Sequence, residues 1–225
     1  MTSLLSGRGL VKRYGNAYAL AGVDMDVAAG EVIAIVGPSG SGKTSLLHVM
    51  AGILKADEGT ITLGSQRIDQ LSETRRSELR RTEFGFVFQS GMLVSELTAE
   101  ENVALPLLLG GRDRGMAIST ARTWLGRLGL GGKETRRPGE LSGGEAQRVA
   151  IARAIAHRPK VIFADEPTGA LDTKTGHATI GALIEAARET GAAVIVVTHD
   201  REIAAMLPRT VAIRDGHIEE PVVTA

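Results

Sequence analysis

The segment Gly37-Pro-Ser-Gly-Ser-Gly-Lys-Thr44 sets a lysine and a hydroxyl directly behind closely spaced glycines. It follows the apolar run Val32–Val36 and opens onto the helical pattern Ser45-Leu-Leu-His-Val-Met50. In that setting successive backbone N–H groups wrap phosphate oxygens, and the helix N-terminus adds positive polarity. Pro38 has no N–H, so the cradle runs from Ser39 through Gly40, Ser41, Gly42, Lys43 and Thr44 to Ser45, with Gly37 at its entrance. Gly40 and Gly42 permit close backbone approach. Lys43 is a point charge suited to the β- and γ-phosphates of a nucleotide, and the Thr44 hydroxyl suits Mg²⁺. A chance glycine-rich turn is the alternative, and the strand–loop–helix setting disfavours it.

Two further segments have the residue types for hydrolysis. Val161-Ile-Phe-Ala-Asp165-Glu166 is an apolar strand ending in two carboxylates, at the strand end where α/β sheets place ligands. Asp165 would hold Mg²⁺ through water and Glu166 would polarise the attacking water as a general base. Adjacent residues of an extended strand point oppositely, which would separate the two tasks; an acidic cap before the Pro167-Thr168 turn is the alternative. In Leu141-Ser-Gly-Gly-Glu145, Ser142 and Glu145 have capping-box spacing and predict a helix start at Ser142, with Pro159 just past its end. Gly143 and Gly144 weaken such a start, by up to about 1 kcal/mol each if helical. A close anion at the helix N-terminus would compensate them. A plain capping box explains Ser142 and Glu145 but not the paired glycines.

The elements that must position these residues alternate in type. Val32–Val36, Val161–Ala164 and Ala193–Val197 are continuously apolar, as in strands buried on both faces of a parallel sheet. Helical patterns such as Lys43–Leu54 and Ala146–His157 lie between them, so the class is α/β. Leu4–Arg13, Val23–Val27 and Thr60–Leu63 read as shorter strands of a separate antiparallel sheet, and Asp215-Gly216 reads as a hairpin turn. Strand signals vanish from Gln89 to about Glu140, which predicts a helical insertion. The 225 residues suit one domain with two lobes and a substantial core. Lys plus Arg and Asp plus Glu are each 26, so no global field favours nucleic acid or anionic lipid. The absence of cysteine rules out disulfides, thiolate nucleophiles and Cys-ligated zinc. Met1–Tyr14 has no leader pattern, and no apolar run approaches the ~18 residues of a membrane span. The expectation is a cytoplasmic, soluble chain.

The ordered set of phosphate loop, Gln89, Leu141–Glu145, Asp165-Glu166, Asp172 and His199 resembles the nucleotide-binding subunits of ATP-binding-cassette transporters, over essentially the whole chain. The Leu-Ser-Gly-Gly signature is far more specific than the phosphate loop. The resemblance implies an α/β P-loop NTPase with a RecA-like core, an antiparallel β subdomain and an α-helical subdomain inserted at approximately 90–158, all in one domain of residues 1–225. It implies a head-to-tail dimer in which the signature (Ser142, Gly143, Gly144, Glu145) of one copy caps the γ-phosphate held by the other. Tyr14 resembles the aromatic residue that stacks on adenine, with nearby Tyr18 as the alternative. Gln89 resembles the residue touching Mg²⁺ and the attacking water. His199 resembles the switch histidine on the γ-phosphate, and Asp172 the residue communicating between the two sites. Glu145 and Ala146 stand where glutamines are frequent, with no loss of a catalytic group, so the chain should be an active ATPase.

The stretches Phe84-Gly-Phe-Val-Phe-Gln89 and Leu97–Pro106 resemble the subfamily of macrolide exporters, lipoprotein-release systems and a cell-division ATPase. Leu71–Arg81 fits the solvated helix that precedes Gln89 in that group. The resemblance implies a separate transmembrane permease, no nucleic-acid partner, and a peripheral location on the inner face of the cell membrane. The alternatives are a soluble non-transport ATPase of the same family and a cell-division ATPase acting through its membrane partner. The tandem cassettes or long coiled-coil insertion of the soluble members are not present in the sequence.

Overall fold

A computed structural model describes residues 3–219. The described residues separate into two compact units, one of residues 3–80 and 193–219 and the other of residues 81–192.

In the first unit, β1 (Ser3–Tyr14) and β2 (Ala17–Ala28) form a long hairpin. After β3 (Val32–Val36), β4 (Glu58–Leu63) and β5 (Gln66–Arg67) complete an antiparallel sheet of order β2-β1-β4-β5. The hairpin strands exceed the apolar runs Leu4–Arg13 and Val23–Val27. The tight Gly15-Asn16 turn pairs Tyr14 with Ala17, and the backbone ladder then carries polar residues that no burial would recruit. The buried face comprises Leu5, Leu10, Leu20, Val23, Met25 and Val27.

The parallel strands of this unit are built around β3, flanked by β8 (Ala193–Val197) and β9 (Arg209–Arg214). Every residue of β8 is buried, which accounts for its unbroken Ala-Val-Ile-Val-Val run. Asp215 (φ 49°) and Gly216 (φ 78°) turn β9 into the antiparallel β10 (His217–Glu219), two positive φ values being what a tight hairpin of this hand needs. The helix α1 (Lys43–Met50) stops short of the expected Leu54. Gly52 turns left-handed (φ 64°), and the amides of Ile53 and Leu54 both return to the carbonyl of His48, closing the helix end.

Beyond α2 (Glu73–Thr82), the second unit pairs β6 (Phe84–Phe88) with β7 (Val161–Asp165) in parallel, from Phe84↔Val161 to Phe88↔Asp165. Between them run α3 (Ala99–Leu109), α4 (Arg114–Arg127), a 3₁₀ turn at Pro138–Glu140 and α5 (Gly143–Ile155), with no strand among these residues. The α5 helix starts three residues before the run Ala146–His157 read as helical, because the capping box sets its start. Gly85 permits α5 to lie directly on β6, since a Cβ there would meet the Ala154 carbonyl oxygen at 2.3 Å. Phe84 and Phe163 pack edge to face across the strand pair at 5.1 Å. The 18-residue α6 (Thr173–Thr190) buries Ile180, Leu183, Ile184 and Ala187 along one stripe. The short α7 (Arg201–Ala205) precedes β9.

Candidate functional site

The phosphate loop leaves the C-terminal end of β3. Its curvature is locked by close backbone approaches within its own unit. A Cβ on Gly37 would lie 2.1 Å from the Ile213 carbonyl oxygen, and one on Gly42 would lie 2.1 Å from that of Ala19. The Gly216 amide donates to the Ser41 carbonyl at 3.1 Å. Gly42 is the N-cap of α1 and offers no side-chain cap, and the first turn carries no acidic residue. The amides at this helix start are therefore left to accept an external anion.

Two polar side chains of the loop lie inside it. Ser41 is 3% exposed, and its Oγ has no hydrogen-bond partner among the described residues. Lys43 is buried, its Nζ donating to the carbonyls of Gly37 and Pro38 at 2.9 Å each. A buried unpaired hydroxyl is costly, and a phosphate oxygen is the acceptor this cradle is shaped to admit. Thr44 is exposed, and so are Ser39 and Gly40. A phosphate chain thus fits the residues present.

The β3–β8 register, Ile35↔Val197, continues one residue into the bond from the Thr198 amide to the Ile35 carbonyl (3.1 Å). One step further places His199 level with Gly37, exposed at the strand ends. Its backbone is fixed on both sides. Thr198 is fully buried, with its Oγ1 accepting from the Asp200 amide (3.0 Å), and Asp200 caps α7. Tyr14, beside the β1–β2 turn, is 53% exposed, with the Lys12 ammonium 5.8 Å from its ring centre. Tyr18 is equally exposed but covered by Arg13 at 4.8 Å.

In the second unit the Phe88↔Asp165 register sets Gln89 and Glu166 at matching positions, just past the ends of neighbouring strands. Glu166 is not on the extended strand. Its φ is 46°, a left-handed conformation that non-glycine residues seldom adopt, so strand alternation does not govern the direction of its side chain. The turn closes with the Gly169 amide donating to the Glu166 carbonyl (3.1 Å). A Cβ on Gly169 would lie 2.8 Å from Nε2 of Gln89, so the Gln89 amide rests on this same turn.

The signature forms the start of α5. Ser142 Oγ accepts from the Glu145 amide (3.3 Å), and Glu145 accepts from the Ser142 amide (2.9 Å). Glu145 also pairs with Lys133, and that partner, followed by the Ser142 amide, holds its pKa down to about 2. The paired glycines have different reasons. Gly144 is buried, and a Cβ there would lie 2.3 Å from Cγ2 of Thr175, so packing on α6 accounts for it without an anion. Gly143 is exposed, with only the Leu171 side chain nearby (3.3 Å). Asp172 caps α6 by accepting from the Thr175 amide (3.0 Å), and the bonds from Thr175 hold its pKa below the usual carboxylate range. Gln147 and Arg153 of α5, which no sequence motif singled out, reach the backbone on either side of Gln89.

The strand–loop–helix cradle and the doubly capped signature define a P-loop nucleotide-binding cassette. Residues 20–169 match the family described as ABC transporter. The chain is 46% identical, over 96% of both sequences, to a lipoprotein-releasing system ATP-binding protein LolD 2 of Caulobacter vibrioides. It is 45% identical to LolD of Shewanella oneidensis, over 90% of this chain and 88% of that protein. Among solved structures, a dimeric ATP-binding cassette, MJ0796, in a post-hydrolysis state bound to ADP and phosphate is 36% identical, with a TM-score of 0.87 over 96% of this chain and 97% of that one. The chain belongs to the ABC transporter family, as an ATP-binding subunit and an ATPase. No helix of the described residues is long and apolar enough to cross a membrane.

Proposed function

We propose that this chain hydrolyses Mg²⁺-bound ATP at two composite sites of a head-to-tail homodimer and thereby drives a separate transmembrane permease of the lipoprotein-releasing type. The reading is supported above all by the phosphate loop, where an uncapped helix start and the unpaired Ser41 hydroxyl call for an anionic ligand. The amides from Ser39 to Ser45 hold the phosphates, and Lys43 exchanges its bonds to the Gly37 and Pro38 carbonyls for β- and γ-phosphate oxygens. Thr44, Gln89 and Asp165 supply hard oxygen donors of the kind Mg²⁺ takes beside nucleotide phosphates. When bound, the ion neutralises charge on the β- and γ-phosphates. Glu166 polarises the attacking water, His199 contacts the γ-phosphate, and Tyr14 stacks on adenine. The open face of Ser142, Gly143 and Glu145 meets the nucleotide of the second copy, and Asp172 lies at the communication point between the sites.

The permease assignment is supported by identity of 43–46% to relatives named as lipoprotein-releasing ATP-binding proteins, across 88–97% of this chain. The corresponding location is the inner face of the cell membrane, with the chain held there by its partner. The test is Glu166→Gln. With ATP this variant should accumulate as a dimer on size exclusion and show almost no turnover; normal turnover would remove the general-base role. The permease type is tested by expressing the chain with its membrane partner and following lipoprotein release from vesicles. ATP-dependent release lost in the Glu166→Gln complex is the expected result, and release independent of ATP would overturn the assignment.

A further inference from the structure

The segment that contains Gln89, from Phe88 to Met92, is held at three carbonyls by one helix. Gln147, 3% exposed, donates from Nε2 to the Phe88 carbonyl at 2.9 Å. Arg153 donates Nη2 to the Gly91 carbonyl (2.6 Å) and Nη1 to that of Met92 (2.7 Å). No carboxylate among the described residues is shown paired with Arg153, and burial pulls its pKa below the ordinary arginine value. Placing a partly desolvated cation against two neutral carbonyls is an expensive way to hold an ordinary loop. The loop is also tightly wound. Gly91 (φ 69°) and Met92 (φ 45°) are both left-handed, and the Gly91 amide returns to the Phe88 carbonyl at 2.9 Å. A Cβ on Gly91 would be 3.3 Å from Oε1 of Gln147, so the turn is fitted to that side chain.

Both clamping residues sit on α5, whose first turn is the signature, and the clamped turn, closed from Phe88 to Gly91, contains Gln89. Gln89 rests against Gly169 of the turn that carries Glu166. From there the chain passes Asp172 into α6, whose Thr175 lies against Gly144 of the signature. The contacts close a ring in which signature, Gln89 and Glu166 share one supporting framework.

Resting on the site reading above, we propose that Arg153 and Gln147 are positioning residues: they tie the Gln89 turn to the signature helix, so that the place of Gln89 relative to Glu166 is set by α5. Neither residue touches nucleotide. Their loss lets the turn relax and displaces Gln89, while the phosphate loop and its ATP affinity stay intact. Displacement of a reacting group by about 1 Å can cost as much as 10²-fold in rate.

The test is a double-mutant cycle on ATPase activity, using the chain assembled with its membrane partner. Arg153→Met should lower kcat by roughly tenfold or more with little change in KM for ATP, and Arg153→Lys, which keeps the charge but not the planar two-pronged fork, should recover part of the loss. In a Gln89→Ala background Arg153→Met should cost almost nothing further. Full additivity of the two changes would overturn the positioning role, because the arginine would then act without Gln89. Gln147→Met provides the same cycle without disturbing the cation, should Arg153→Met not fold. If Gln89→Ala alone leaves turnover unchanged, the reading of Gln89 itself fails. That outcome is distinguishable from additivity and removes the proposal with it.

Discussion

A Cβ on Gly144 would lie 2.3 Å from Cγ2 of Thr175, so the second glycine of the signature is required by the packing of α5 on α6. Gly144→Ala should therefore destabilise the fold, by about 1–3 kcal/mol as for other overpacked contacts. Thr175→Ser, which removes that methyl, should restore most of the loss in the double variant. Urea unfolding midpoints of the three variants check this; an unchanged midpoint for Gly144→Ala would show that the contact relaxes freely.

Gly143 is expected to behave differently. It is exposed, and its only neighbour within reach is the Leu171 side chain at 3.3 Å. Gly143→Ala should leave the unfolding midpoint nearly unchanged while lowering ATP turnover, since the added methyl would occupy the face that the proposed dimer offers to the second copy's nucleotide. Turnover equal to the unmodified chain would remove that face from the composite site.

Lys43→Ala should weaken nucleotide binding by roughly tenfold or more, because hydrogen bonds to charged groups are worth about 1.5–3 kcal/mol. Titration with a fluorescent ATP analogue reads this directly. Chelation of Mg²⁺ should instead abolish turnover while leaving measurable nucleotide binding.

These contrasts show which features were legible in the sequence. The phosphate loop, the capping box and the continuously apolar strands announce themselves through local chemistry, and each lies where its pattern puts it. The capping box predicted reciprocal bonds between Ser142 and Glu145 that are present at 2.9 and 3.3 Å. Long-range packing left no such local mark. The paired glycines looked like one device for an anion, and only the position of Thr175, 31 residues on, separates them. Glu166 appeared as the next residue of an extended strand, whereas its φ of 46° comes from a turn closed by Gly169. Arg153 and Gln147 were invisible because their partners are backbone carbonyls, which no side-chain pattern encodes. The α6 helix did carry a signal, in the i, i+3, i+4, i+7 spacing of Ile180, Leu183, Ile184 and Ala187.

The Glu145 carboxyl sets a pH window for the start of α5. Its pKa is held at about 2 in the folded chain, by Lys133 first and then by the Ser142 amide, against an ordinary value of 4.5. The interaction contributes fully above pH 4.5 and is lost as pH falls toward 2. Glu145→Gln keeps the reciprocal cap but not the charge pairing. Its stability should fall below that of the unmodified chain at neutral pH, and the two should converge near pH 2. A gap that persists at pH 2 would mean that the charge is not its source.

Asp172 combines a structural and a functional assignment that substitution can separate. Loss of its cap in Asp172→Ala should cost about 0.5–2 kcal/mol of stability, while asparagine, an equally good cap, should retain it. Under the role proposed for Asp172 between the two sites, Asp172→Asn is nevertheless expected to reduce ATP turnover, since asparagine keeps the cap but not the charge. Unaltered turnover in a stable Asp172→Asn variant would confine the residue to capping.

The cap at the head of α5 is built wholly from this chain, through Ser142, Glu145 and Lys133. A surface already ordered before it meets its counterpart loses little conformational freedom on contact. Association then does not wait for this turn to fold, and separation does not unravel it. In the proposed dimer the same rigid edge can be engaged and released at every round of nucleotide turnover.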